Sequence, residues 1–223
     1  MSEKYINSIA AMDFDRFIDR LRSGISSELP GRAAHRRMMP VFPQANISYF
    51  SDKPLRQAAV LICLFPLDGI PHTVLIERTQ DAGPHSGQIA FPGGRYEESD
   101  SDLTITALRE AYEEVAIDPD CLQVLGNLSA ISIPVSGFSV LPVIAYTHAM
   151  PDFIPATDEV KSLMVCPVED LLKSKTSGKI RVRDFEIEAP YYLANGRIVW
   201  GATAMLLSEL ECVLYRLTVE SLN

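Results

Sequence analysis

The chain lacks a basic surplus. Its 223 residues carry 20 Lys and Arg against 29 Asp and Glu, a formal net charge of −9. That balance argues against a general nucleic-acid binder, whose affinity rests on neutralising phosphates with Lys and Arg. An anionic substrate would also meet a repelling field unless metal ions or local cations intervene. Cysteine is sparse and scattered: Cys63, Cys121, Cys166 and Cys212 form no C-x-x-C pair. Without that spacing there is no zinc site or disulfide frame to read, and the four are expected as small core residues in a reducing compartment. No secretory pattern opens the chain and no apolar run approaches the length of about 18 residues that a membrane span needs, so a cytoplasmic location is expected. Internal repeats and low-complexity tracts are missing, and no Ser/His/Asp or Cys/His constellation is marked by spacing.

Hydrophobic residues, by contrast, make up 47% of the chain, enough for a sizeable core in one large domain. The spacing of Ile9, Phe14, Phe17, Ile18 and Leu21 predicts an amphipathic helix over residues 8–25. A connecting stretch broken by Pro30, Pro40 and Pro43 follows. It holds the most basic patch, Arg32, His35, Arg36 and Arg37, read either as a solvated surface or as a phosphate contact made between subunits. Residues 1–50 are expected to pack as a helix and connecting segment on a domain formed by residues 51–223. From Arg56, RQAAVLICLFP and HTVLIERT read as strands of a hairpin around Asp68-Gly69-Ile70-Pro71. Further strands are expected at 88–91, 122–133, 140–146 and 160–165, with a short helix at 168–173. A β-rich return over 179–200 and a closing helix over 201–217 complete the pattern. Strands, a helix, more strands and a closing helix fit an α/β fold with a mixed sheet and helices on both faces.

Chemistry concentrates in residues 91–117, FPGGRYEESDSDLTITALREAYEEVAI. A Pro-Gly-Gly turn leads through an acidic loop into a helix that Ser101 or Asp102 can cap and that Asp118-Pro119 ends. Glu110, Glu113 and Glu114 fall at i, i+3 and i+4, so they crowd onto one helical face. Thr104, Leu108, Ala111, Tyr112 and Val115 are expected to form the stripe that packs on a sheet. The like charges repel unless something neutralises them, and a hard divalent cation with oxygen ligands would do so. Arg109 reads either as the i+4 partner of Glu113 or as an anchor for the acidic loop through Asp100 or Asp102. His35, His72 and His148 are isolated, with structural or exposed roles expected.

Arg109-Glu110-Ala111-Tyr112-Glu113-Glu114-Val115-Ala116-Ile117, with Gly94 upstream, resembles the signature of the Nudix hydrolases. Ala116 stands where the family has Gly, and the loop from Gly94 to Arg109 is one residue longer than the general pattern. A lengthened, Asp-rich loop is typical of the coenzyme A pyrophosphatase branch. That branch is also resembled in Arg78, His85, Gly87 and Gln88-Ile-Ala-Phe-Pro-Gly-Gly, and in Trp200, Gly201 and Thr203, although Ala82-Gly83 replaces its Leu-Arg. The resemblance spans most of residues 74–205.

It implies a Nudix-type α/β/α sandwich with a mixed β-sheet and Mg²⁺ or Mn²⁺ held by Glu110, Glu113, Glu114 and the Gly94 carbonyl. For Arg109 it favours loop anchoring beside the catalytic carboxylates. Glu159 is implied as a metal contact or general base, with a plain surface Glu as the alternative, and Arg78, His85 and Gln88 as substrate contacts. The implied reaction cleaves the diphosphate of coenzyme A or its derivatives to 3′,5′-ADP and 4′-phosphopantetheine. The alternatives are hydrolysis of ADP-ribose or a dinucleotide, or an inactive binding module, against which the intact carboxylates stand. With the branch Arg absent at Gly83, Arg32, Arg36 and Arg37 are the nearest replacement cations by composition. The family also allows a homodimer.

Overall fold

A computed structural model describes residues 12–40, 54–79, 87–133, 136–182 and 185–220. Helix α1 (Phe14–Ile25) starts where Asp13 accepts the Arg16 N–H at 2.9 Å, an N-cap. The expected residues 8–11 lie outside the described ones. A one-turn α2 (Gly31–His35) and a 3₁₀ turn (Arg36–Met38) follow.

The main sheet begins with β1 (Arg56–Leu67) and β2 (Ile70–Arg78), a hairpin closed by Leu67 opposite Ile70, with Asp68 and Gly69 both at positive φ in the turn. Then come β3 (Ile89–Ala90), β4 (Gly93–Arg95), helix α3 (Leu103–Val115), β5 (Gln123–Asn127), β6 (Ile131–Ile133), β7 (Phe138–Tyr146) and β8 (Val160–Pro167). β7 runs parallel to β1 from Arg56 opposite Phe138 to Leu64 opposite Tyr146, whereas β2 and β4 pair with β1 in the antiparallel sense. The result is an eight-stranded mixed sheet.

Both of its faces are covered, which is why β1 reads as a continuous apolar run instead of an alternating one. Ala59, Leu61, Cys63 and Phe65 face α3 through Ala107, Ala111 and Val115. Ile62 and Leu64 point the other way, into a larger core with Phe14, Phe17, Ile18 and Leu21 of α1. The same core takes Leu206, Leu207, Leu210 and Leu214 of the closing helix α5 (Gly201–Glu220). Helix, sheet and helix therefore stack as an α/β/α sandwich. Among the described residues no helix is long and apolar enough to cross a membrane.

Some expectations change. Between α4 (Val168–Lys173) and α5 the expected β-rich return is present, and it lies outside the main sheet. It forms its own three-stranded sheet from β9 (Thr176–Val182), β10 (Phe185–Ala194) and β11 (Arg197–Val199). Tyr112 is 56% exposed, because the buried face of α3 runs through Ala107, Ala111, Glu114 and Val115. Cys121 is also exposed, in a 3₁₀ turn at the surface, although Cys63 and Cys166 are buried as expected.

The basic segment is amphipathic: Arg32, Arg36 and Arg37 are exposed, while Ala34, His35 and Met38 are buried. Its anchor is Glu209 of α5, fully buried, which accepts the Gly31 N–H at 2.9 Å, His35 Nε2 at 2.8 Å and the Ser129 N–H at 3.2 Å. Burial pushes the Glu209 carboxyl up, but the bonds from His35 and Ser129 outweigh it and hold it below its ordinary value.

Two tests follow from this packing. Ala116 ends α3 at φ 58 and ψ 30, a left-handed conformation that costs a Cβ-bearing residue about 1 kcal/mol. Ala116→Gly is expected to raise the unfolding free energy in urea by about 0.5 kcal/mol, the Gly entropy cost taking back part of the gain; a loss of stability would contradict it. Glu209→Ala strands the buried Gly31 N–H, the half-buried Ser129 N–H and His35, and is expected to destabilise the fold by about 3 kcal/mol at neutral pH. Because the folded carboxyl is depressed, its stabilisation exists above the ordinary carboxylate pKa and is lost as pH falls through the folded value. The gap between wild type and variant should therefore narrow in acid, and a gap that is constant with pH would refute the ionised pairing.

Candidate active site

At the edge of β1 the chain passes from Phe91-Pro92 into Gly93 and Gly94. Pro92 C=O accepts the Leu61 N–H at 2.8 Å, and β4 lies against Ala58–Val60. The approach leaves no room for side chains: a Cβ on Gly93 would strike Ala59 O and Val60 Cα, and one on Gly94 would enter the Glu110 carboxylate. The Pro-Gly-Gly turn thus lets the first carboxylate of α3 lie directly on the β4 backbone.

The acidic loop is organised by Asp100, only 4% exposed. It accepts the Glu97 N–H at 3.0 Å, Thr106 Oγ1 at 2.9 Å, and Arg109 Nε and Nη2 at 2.9 and 3.0 Å. The Arg109 guanidinium holds its carboxyl far below the usual range against the opposing effect of burial, and Arg109 is itself raised. Asp102 has the other duty, capping α3 by accepting the Thr104 and Ile105 N–H groups. Arg109 also donates Nη1 to Glu110 at 3.1 Å and Glu113 at 2.9 Å, and Nη2 to the Arg95 C=O at 2.9 Å. The two readings of Arg109 coexist in one side chain.

Glu114 is 1% exposed. Its oxygens accept Arg78 Nη1 at 3.0 Å and the Gly93 N–H at 2.8 Å. Burial pushes this carboxyl up to about 7, in spite of lowering by Gly93 and Arg78; Glu110 and Glu159 add to the rise. Burial likewise raises Glu110, against Arg109, with Glu113 and Glu159 contributing.

Glu110, Glu113, Glu114, Arg109, Gly94, Arg78, Gln88 and Glu159 all line one cavity of about 630 Å³. His85 and Ala82-Gly83 lie outside the described residues. Arg32, Arg36 and Arg37 are not among the lining residues; Arg37 donates instead to Cys212 Sγ at 3.1 Å. An apolar part of the lining comes from Ile131, Ile133, Phe138 and Val140 of the sheet, with Ala202 and Leu206 from α5. Arg56 and Arg95 complete the lining. Sequence reasoning missed these two cations and the apolar wall, since nothing in strand alternation marks which inward residues meet a cavity and which meet a helix.

Among the described residues, no three acidic, His or Cys side chains converge into a ready cation cluster. Arg109 holds Glu110 and Glu113, and Arg78 with Gly93 holds Glu114. The donor chemistry nevertheless suits a hard divalent ion: these are oxygen ligands, and burial plus neighbouring carboxylates disfavour the charged forms of Glu110 and Glu114 unless more positive charge arrives.

Comparison with known proteins agrees with this geometry. The NUDIX domain family model matches residues 55–185. The chain is 38% identical over 157 residues to the uncharacterised Nudix hydrolase NudL of Pectobacterium atrosepticum, covering 70% of this chain and 81% of that one. Its likeness to NudL of an Enterobacter species is 33% over 159 residues, again covering 70% and 81%. Among solved structures, the Nudix hydrolase RenU of M. smegmatis shares the fold at a TM-score of 0.50 and 14% identity, covering 75% of this chain and 88% of that one. Nudix hydrolases generally use divalent metals such as Mg²⁺ or Mn²⁺. With the family match running from β1 through the carboxylate helix and on to the second sheet, this chain belongs to the Nudix hydrolases and is an enzyme acting on diphosphate bonds of nucleoside diphosphate derivatives.

Proposed function

We propose that the enzyme is a cytoplasmic coenzyme A diphosphatase, cleaving coenzyme A or its derivatives to 3′,5′-ADP and 4′-phosphopantetheine with Mg²⁺ or Mn²⁺ as cofactor. The observation that carries this reading is the mixed lining of the cavity, where Glu110, Glu113, Glu114, Arg78 and Arg109 share one space with the apolar wall of Ile131, Ile133, Phe138, Val140 and Leu206. A substrate with an anionic centre and a long uncharged arm matches both kinds of lining. ADP-ribose and dinucleotides would use the charged part but set polar sugars or a second nucleotide against the apolar one. Further support comes from the two stretches that resemble the coenzyme A branch. Thr203 Oγ1 donates to the Ile89 C=O at 3.1 Å, so they meet beside the Pro-Gly-Gly turn.

In this reading Glu110, Glu113, Glu114 and the Gly94 carbonyl would hold the metal, whose chemistry when bound would be charge neutralisation on the phosphoryl groups and activation of a water. Arg109 orients Glu110 and Glu113 while anchored on Asp100. Arg78 and Gln88 face the diphosphate, and Glu159, exposed at the cavity, is the candidate to take the proton of the attacking water. The deciding experiment incubates coenzyme A, ADP-ribose and a dinucleotide with Mg²⁺ and Mn²⁺ and resolves the products by chromatography. Release of 3′,5′-ADP at the highest kcat/KM is expected, and a higher value for ADP-ribose or the dinucleotide would overturn the assignment.

Glu113→Gln and Glu114→Gln are each expected to cut turnover by about two orders of magnitude or more, since a lost ligand weakens charge neutralisation in the transition state. Metal-free thermal stability should hold in Glu113→Gln, where an exposed carboxylate goes and repulsion on the helix falls, and should drop in Glu114→Gln, where the amide NH2 would meet the Arg78 or Gly93 donor. Near-normal turnover at saturating Mg²⁺ would remove that residue from the ligand set. Gly94→Ala drives a methyl group into the Glu110 carboxylate. It should raise the Mg²⁺ concentration needed for half-maximal rate by about tenfold or more, as small displacements in a site do. An unchanged metal requirement would show that Glu110 can move without consequence.

A further inference from the structure

The cavity is lined by Arg56, Arg78, Arg95 and Arg109. Two of these are committed: Arg109 to Asp100, Glu110 and Glu113, and Arg78 to Glu114. Among the described residues, neither the Arg56 nor the Arg95 guanidinium meets a carboxylate. Arg56 is nevertheless held in place. Its N–H donates to the Gly137 C=O at 2.9 Å, its Nη2 donates to the Ser136 C=O at 3.0 Å, and its guanidinium lies 4.0 Å over the Phe138 ring. These contacts leave Nε and Nη1 for another acceptor. Arg95 faces Ala58 in the β1–β4 register, and the Tyr96 N–H to Gln57 C=O bond at 3.0 Å carries that register one residue further. Arg56 therefore lies diagonal to Arg95, at a sheet spacing of about 7–8 Å. The register sends both side chains from one face of the sheet, the face of Phe138, and both line the cavity.

The geometry points to Arg56 and Arg95 as a clamp for a second anion of the substrate, a phosphomonoester distinct from the diphosphate. This rests on the coenzyme A reading above and deepens it. A diphosphate belongs at the carboxylate end, where metal charge would neutralise it. Two uncommitted cations further along the same cavity have no task on a substrate without another anionic group. A phosphomonoester carries a charge of roughly −1.5 to −2 at neutral pH and presents the oxygens that planar guanidiniums bind in pairs. The 3′-phosphate of coenzyme A is such a group. Stacking on Phe138 fixes one guanidinium before the ligand arrives, which lowers the ordering cost of binding. Glu97 also lines this part of the cavity, across from Arg56, and opposes the anion.

The test is calorimetric binding of 3′,5′-ADP and 5′-AMP, at fixed Mg²⁺, to wild type, Arg56→Gln/Arg95→Gln and Glu97→Gln. Wild type is expected to bind 3′,5′-ADP ~10–100-fold more tightly, the scale of charge-assisted hydrogen bonds to phosphate. The double variant should lose most of that preference while remaining folded, with its melting temperature lowered only slightly by the lost Arg56 contacts to Ser136 and Phe138, and Glu97→Gln should widen the preference. No preference in wild type, or a preference that survives in the double variant, overturns the clamp. Coenzyme A turnover is read separately. An intact preference without turnover removes the coenzyme A reading and keeps the clamp, whereas turnover with no arginine-dependent preference does the reverse.

Discussion

The candidate site depends on the ion pair between Arg109 and Asp100. One guanidinium reaches the acidic loop through Asp100, the β4 backbone through the Arg95 C=O, and α3 through Glu110 and Glu113. Asp100 is nearly buried, and the Arg109 guanidinium holds its carboxyl far below the usual carboxylate range, which favours the ionised pair. Breaking it would leave a buried charge without a partner, the costly side of a buried ion pair. Loop, strand edge and helix are thereby locked together, and the carboxylates keep fixed directions while still repelling one another.

The rear of the cavity depends on the other end of the chain. Ala202, Thr203 and Leu206 of α5 line it, and Thr203 bonds to β3. The same helix is held from behind by the N-terminal segment, through Glu209 with Gly31 and His35 and through Ser208 donating to the Ala34 C=O at 3.0 Å. A second buried carboxylate on this helix, Glu211, accepts Tyr192 Oη at 2.8 Å and Lys175 Nζ at 2.9 Å, tying in the small sheet. Residues far from the carboxylates thus decide how firmly the apolar wall stands.

Much of the architecture was legible from local pattern. The hairpin at Asp68-Gly69, a cap at Ser101 or Asp102 and the short helix at Val168–Lys173 follow from turn chemistry, capping and local pattern. All of these are decided among neighbours a few residues apart. The carboxylates, Arg109 and the glycine turn stood out for the same reason, lying within a single stretch of chain.

What only the tertiary structure decided concerns partners brought from a distance. Periodicity could not show that Glu114 is buried and Tyr112 exposed, because the sheet's position sets the angle at which α3 is covered. Spacing left Asp100 and Asp102 interchangeable, and only the fold assigns one to Arg109 and the other to the helix N-terminus. Nothing near Arg56 announced Phe138, since a parallel pairing joins strands separated by more than seventy residues. The sequence by itself determined where helices and strands form and which segment carries the charge. Which charges are neutralised, and which stay available to a substrate, was decided by packing, because an ion pair is set by distance in space and not by distance along the chain.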